Sequence, residues 1–311
     1  MVFKKKIIKS RAVVMAVACS FCLVSFAASA EAQTPEEATR KLWDTAFIAP
    51  AKKKAVSRKS PARRRPAGRN YRVATPKVPT ANVAADTVVG VTIWRLRRST
   101  SADSGERLLV QHGSDTGEWL PERISANTRL VEGDRLRITV EAARSGYLYV
   151  IDREQYADGS FSEPYLIFPT TRTLGGNNEV KAGKVIEIPA QEDSPPYFSL
   201  RRSRHDQVAE VLSVLVTPTP LEDIEITDRA QKLSATQVAA WEKSWSTQVG
   251  RLEMEGGAGK AWTKEEKEAG ADGNRLLEAE APAPQDLYYR PNTKSSEPML
   301  LKIQLRYRRR A

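Results

Sequence analysis

From Val83 onward, apolar residues recur mostly at every second position in short runs, and the runs are separated by clusters of Gly, Asp, Asn, Ser and Pro. That alternation is the signature of strands with one buried face. Val88 to Arg97 and Leu108-Leu109-Val110 read as the first two strands. Val131-Glu132-Gly133-Asp134 reads as a turn, and Arg135 to Val140 follows with Leu136, Ile138 and Val140 on one face. Ser145-Gly146 breaks that run and Tyr147 to Asp152 restarts it, which predicts a hairpin or a bend that carries the chain into another sheet. Ala157-Asp158-Gly159-Ser160 supplies a second turn before Tyr165-Leu166-Ile167-Phe168, which Pro169 stops. Lys184 to Ile188, Tyr197 to Arg201 and Gln207 to Thr217 continue the series. In the last of these, Val208, Val211, Leu212, Val214, Leu215 and Val216 predict burial on both faces for part of its length. Met299 to Leu305 alternates again and closes the sheet. Eight or nine strands without helical crossovers predict a mainly β fold, an antiparallel, immunoglobulin-like β-sandwich over residues 83–311.

One stretch departs from period two. Within Leu221 to Leu287, Ser234-Ala235-Thr236-Gln237 is a capping box, and Val238, Trp241 and Trp245 recur at helical spacing, which predicts a helix from Ala235 to Trp245. A second short helix is expected after Thr263, with Glu266 three residues on. The segment 221–287 therefore reads as a helical insertion packed on one face or edge of the sheet, its Trp stripe serving packing, with a ligand-stacking platform as the alternative.

The first 82 residues follow another logic. Lys4, Lys5, Lys6, Lys9 and Arg11 precede the apolar run Ala12 to Ala27 and then Ala28-Ser29-Ala30, the layout of a secretory signal peptide over residues 1–30. A retained anchor, or lipidation at Cys19 or Cys22, is the alternative. With both cysteines in the leader, the expected mature chain has no disulfide, thiol nucleophile or thiolate metal site. Thr34-Pro35-Glu36-Glu37 starts a short amphipathic helix within residues 31–49. Residues 50–82 then form a Lys/Arg/Pro/Ala-rich linker that has little apolar area to bury and repels itself, so an extended, disordered chain is expected.

Charge is segregated accordingly. The chain carries +11 overall, yet residues 1–82 hold 18 Lys or Arg against 4 Asp or Glu, and residues 83–311 hold 31 against 34. The basic character thus belongs to the leader and linker. Lys52, Lys53, Lys54, Arg58, Lys59, Arg63, Arg64, Arg65 and Arg69 are the candidate contacts to an anionic envelope surface, a solvated spacer being the bland reading. Tyr71 is the lone aromatic of the linker, which argues against single-stranded nucleic acid.

Catalytic signals are sparse. His112 with Asp115 and His205 with Asp206 each give two ligand types and no third nearby, short of a metal set. Asp115-Thr116-Gly117 matches an aspartic-protease triplet but lacks the preceding apolar strand, so a polar hairpin loop is expected there. Gly256-Gly257-Ala258-Gly259-Lys260 fails as a phosphate loop on spacing, and Ala261 stands where a Ser or Thr would hold magnesium. Neither Gly-x-Ser-x-Gly nor His-Glu-x-x-His occurs. The expectation is a non-enzymatic exported module without a cofactor that binds an envelope protein or glycan. The alternatives are an envelope-polymer hydrolase using a carboxylate pair and polyanion or nucleic-acid binding through the linker.

Val131 to Thr217 carries one further signal. Glu132-Gly133-Asp134 before a strand, Ser145-Gly146-Tyr147-Leu148-Tyr149-Val150-Ile151, Leu166-Ile167-Phe168-Pro169, Gly175-Gly176-Asn177-Asn178, Ile186-Glu187-Ile188-Pro189 and Tyr197-Phe198 together resemble the family known as domain of unknown function 4384. The resemblance implies a small β-rich, sandwich-like module of exported or multidomain bacterial proteins. It implies no reaction, because the matching residues are mostly turn formers and core aromatics.

Overall fold

The computed structural model describes residues 88–113, 115–246, 248–254, 256–271, 282–291 and 296–309. The leader, the helix expected within 31–49 and the basic linker lie outside the described residues. Among the described residues, fourteen strands form two antiparallel sheets, one of them curled into a half-barrel, with two short helices.

The first sheet is organised on β1 (Val88–Arg98). One edge of β1 pairs with β4 (Arg135–Ala142), from Val89 opposite Ala142 to Leu96 opposite Arg135. The other edge is shared: Val88 to Val91 pair with β13 (Asp286–Tyr289), and Ile93 to Arg98 pair with β3 (Asp115–Ile124). Beyond these lie β12 (Gly250–Glu253) on β13 and β2 (Leu108–His112) on β3. The outer edge of β4 takes β8 (Val185–Ile188) and β9 (Phe198–Ser199).

The second sheet is organised on β5 (Gly146–Tyr156) and β10 (Gln207–Thr217). β14 (Met299–Arg306) pairs with the far edge of β10; β6 (Tyr165–Phe168) and β7 (Glu179–Val180) share the far edge of β5, and β11 (Gln231–Lys232) pairs with β6. The break at Ser145-Gly146 is therefore a passage from one sheet to the other. It needs glycine there, since a Cβ on Gly146 would sit 2.3 Å from the carbonyl oxygen of Thr217.

Side-chain alternation explains the core. Val89, Val91 and Ile93 on β1 and Ile138 and Val140 on β4 meet Leu148, Val150, Leu212, Val214, Leu301 and Ile303 from the second sheet in one cluster. Each sheet is also covered on its other face. Trp94, Leu108, Trp119, Tyr197 and Trp262 pack on the first sheet, and Tyr149, Ile151, Leu166, Leu215, Leu300 and Val238 pack on the second. That double cover is why Val211 to Thr217 is buried throughout, as its continuous apolar run predicts.

The segment between β10 and β14 holds both helices, and it does more than the expected helical insertion. α1 (Ala235–Trp245) is capped by Ser234, whose hydroxyl accepts from the Gln237 amide, and it lays Val238 on the second sheet. α2 (Lys264–Ala271) has a reciprocal cap, with the Thr263 amide donating to Glu266 at 2.9 Å and the Glu266 amide donating to the Thr263 hydroxyl at 3.2 Å. The same segment contributes β11 to one sheet and β12 and β13 to the other. These strands are only two to four residues long and carry too few alternating positions to register as strands on their own. β3 escapes the sequence pattern for a different reason. Gly117, Pro121 and four charged residues interrupt its alternation, and its pairing with β1 and β2 on both edges forms it regardless.

Candidate functional site

At the end of the sheets where β5 stops, β10 begins and β14 leaves, the apolar rows run out into polar groups. Leu148 and Val150 on β5 are followed on the same face by Asp152. Leu212 on β10 is preceded by Glu210, and Leu305 on β14 is followed by Tyr307. Glu210 is 7% exposed. Its Oε1 accepts from the Tyr307 hydroxyl at 2.9 Å and from the Gln207 side-chain amide at 2.7 Å. Its Oε2 and the Oδ1 of Asp152 are both shielded from solvent and have no hydrogen-bond partner.

This burial dominates the electrostatics. Desolvation and then the charge of Asp152 push the Glu210 carboxyl well above the usual range, and desolvation with the charge of Glu154 does the same to Asp152. Burial and the neighbouring Glu210 raise the Tyr307 phenol as well, which keeps it protonated and donating. Burial and neighbouring carboxylates thus shift both acids toward the neutral form.

Outside this acid pair the surface reverses sign. A cleft of about 750 Å³ opens there, and its lining includes Arg129, Arg202, Arg306, Arg308 and Arg309 against the single carboxylate of Asp206. Asp206 is already held by Arg204 through two hydrogen bonds, at 3.0 and 2.7 Å. None of the five lining arginines pairs with a carboxylate among the described residues. Arg202 lies over the Tyr307 ring at 4.5 Å and donates from Nη2 to the Arg308 carbonyl at 2.7 Å, while its Nε is shielded from solvent and has no partner. Arg204 lies over Tyr156 at 3.9 Å, and the Tyr156 hydroxyl donates to Glu154 at 2.8 Å. The aromatic rings thus hold guanidinium groups in place without neutralising them.

The sequence-predicted contacts Lys52, Lys53, Lys54, Arg58, Lys59, Arg63, Arg64, Arg65 and Arg69 lie outside the described residues. His205 and Asp206 line the cleft, but Asp206 is engaged with Arg204. His112 is exposed, with Nδ1 3.2 Å from the Ser194 hydroxyl, and no described hydrogen bond orients its other nitrogen. Among the described residues no group of three or more His, Cys, Asp or Glu is placed to hold a metal ion. Thr116 and Gly117 are strand residues beside Gln111 and Val110, so the protease-like triplet is the start of β3. In the Gly256 to Lys260 loop, the Gly259 amide donates to the Arg123 carbonyl and the Arg123 amide donates to the Lys260 carbonyl, which ties the loop to β3.

A second buried charge pair is structural in its geometry. Arg137 donates to Glu187 at 2.8 Å and both are almost fully buried. Desolvation raises Glu187 to about 7 against the opposing pull of Arg137. Gly270 of α2 lies so close to this carboxylate that a Cβ there would stand 2.0 Å from Oε1, which closes the group beneath the helix.

Sequence reasoning missed the arginine cleft because its members come from three separate segments, around residues 129, 202 and 306–309. The one local signal was the run Arg306-Tyr307-Arg308-Arg309 at the end of a strand. Compared with protein-family models, curated proteins and solved structures, the chain matches none of them.

Proposed function

We propose that this chain is an exported cell-envelope module that works by binding and performs no catalysis, and that its body engages an anionic partner, an envelope protein or glycan, through the arginine cleft. The observation that carries the reading is the set of five arginines without carboxylate partners around a cleft of about 750 Å³, in a body whose acidic residues outnumber its basic ones. A body of that balance keeps an uncompensated cationic cleft at an energetic cost unless an anion neutralises it. The linker cations from Lys52 to Arg69 extend the same attraction to anionic surfaces.

The fold reading belongs to this proposal. β1 and β4 pair in one sheet, the chain passes to β5 and β6 in the other, β8 returns to pair with β4, and β10 and β14 add to β5 in turn. That order supports an immunoglobulin-like sandwich with strands β1, β4 and β8 facing β6, β5, β10 and β14. The β2–β3 hairpin and the segment carrying both helices would then be insertions, and the resemblance of Val131 to Thr217 to the uncharacterised exported family is consistent with the same core. The alternative of a carboxylate-pair hydrolase draws on Asp152 and Glu210, whose solvent-shielded oxygens and shared preference for the neutral form weigh against it.

The test is retention of the exported chain on isolated envelope material. Replacing Arg202, Arg306 and Arg308 by Ala is expected to release most of the bound protein, and replacing the nine linker cations from Lys52 to Arg69 by Gln to release part of it. Full retention of the arginine variant would remove the cleft from the reading. Retention of the body alone equal to that of the full chain would remove the linker.

A further inference from the structure

We infer that the anion taken by the arginine cleft is a phosphate-type ester, bound as at least two successive phosphate groups, and not a carboxylate polymer. This rests on the binding role proposed above and names the chemistry of its ligand.

The geometry of the cations is the first reason. The five arginines that line the cleft come from three segments, Arg129 from the segment before Leu130, Arg202 from the loop after β9, and Arg306, Arg308 and Arg309 from the end of β14. A carboxylate is planar and fills one guanidinium fork along one edge. A tetrahedral phosphate directs its oxygens out of a single plane and accepts from donors arriving on several sides. Donors drawn from three segments around one cleft match the second shape.

Charge and spacing give the other two reasons. With Asp206 held by Arg204, the five lining arginines call for several negative charges within a single cleft, which one acidic side chain does not supply. Arg306 and Arg308 are alternate residues of one chain segment, both exposed, with buried Tyr307 between them. The segment stays extended past β14, because the Leu130 amide donates to the Arg306 carbonyl and the Arg308 amide donates to the Leu130 carbonyl. Alternate residues on a strand point to one side about 7 Å apart, two cationic stations in a row.

The experiment uses the full exported chain with its eleven linker cations, Lys52 to Lys77, replaced by Gln, so that the linker does not mask the cleft. Inorganic polyphosphate and polyglutamate of matched charge are titrated at one ionic strength by calorimetry. Polyphosphate is expected to bind at least about tenfold more tightly, and the Arg306→Ala, Arg308→Ala double variant to lose about tenfold of that affinity. Arg306→Lys with Arg308→Lys keeps the charge and removes the forks, so polyphosphate binding is expected to be largely retained there even if the Ala variant folds poorly, and a loss as large as in a folded Ala variant overturns the phosphate assignment. Vesicles of phosphatidylglycerol in phosphatidylcholine separate the sources: arginine-dependent vesicle binding assigns the phosphate to lipid headgroups, and polyphosphate binding without it assigns a phosphorylated glycan. Equal affinity for polyglutamate overturns the phosphate assignment while leaving an anion-binding cleft. Absence of binding to either polymer overturns both readings.

Discussion

Tyr307 shows how one side chain connects the core to the cleft. Its ring belongs to the cluster between the sheets, its hydroxyl donates to buried Glu210 at 2.9 Å, and Arg202 lies on its outer face at 4.5 Å. Phenylalanine at this position would keep the packing and the cation–π contact while removing one of the two donors to Glu210. Tyr307→Phe is therefore expected to lower stability by about 0.5–1.5 kcal/mol, the net worth of one hydrogen bond, because Gln207 still donates to the same oxygen. Chemical denaturation measures this, and an unchanged midpoint would show that the hydrogen bond contributes nothing. The sequence puts Tyr307 at the end of an alternating run and so marks it as strand. Its acceptor stands 97 residues earlier, and only the pairing of β10 with β14 brings the two together.

At the scale of elements, the acid pair spans two strands. Asp152 stands opposite Leu212 and Glu210 opposite Glu154, so the two core-facing carboxyls are diagonal neighbours across the β5–β10 pair. Both have folded-state values raised above those of the unfolded chain. From about pH 4 upward the unfolded chain ionises these groups while the folded chain still holds their protons. Unfolding then releases protons, and stability falls as pH rises into the neutral range, by at most about 1.4 kcal/mol per pH unit for each carboxyl. Above the folded-state values the loss is complete and the dependence flattens. Denaturation midpoints at pH 5 and pH 8 are expected to differ in this sense, and Glu210→Gln, which keeps an acceptor for Tyr307, to flatten the difference. A difference of the same size in Glu210→Gln would place the titration elsewhere.

The elements also show where pattern suffices. α1 and α2 form where Ser234 and Thr263 cap them, because capping is decided within four residues. The turns at Gly133 and Gly159, with φ of 93° and 85°, lie where Glu-Gly-Asp and Asp-Gly predict them. β12 and β13 are legible only once each is seen to be the other's partner and β13 the partner of β1.

For the whole molecule, the separation of charge is the governing feature. Residues 1–82 carry a net +14 and residues 83–311 a net −3, yet the body gathers in one cleft five arginines that pair with no carboxylate among the described residues. Binding of the full chain to a polyanion is expected to weaken steeply with salt, because each neutralised anionic group releases counterions. Replacing the nine linker cations from Lys52 to Arg69 by Gln is expected to make the slope of log affinity against log salt shallower, and adding the Arg306→Ala, Arg308→Ala pair to make it shallower again. If the slope is unchanged by the linker substitutions, the linker is a spacer only.

What the sequence by itself determined is local: the strand and helix periods, the caps, the glycine turns, the apolar run of β10 and the segregation of charge along the chain. Each depends on residues within a few positions of one another, so it survives without knowledge of the fold. The tertiary structure decided which edges meet, how the passage at Gly146 divides the strands between two sheets, and how Arg129, Arg202 and Arg306 reach one cleft above Glu210 and Asp152. Those are contacts across tens to hundreds of residues, set by sheet pairing and shared burial, and no spacing along the chain encodes them.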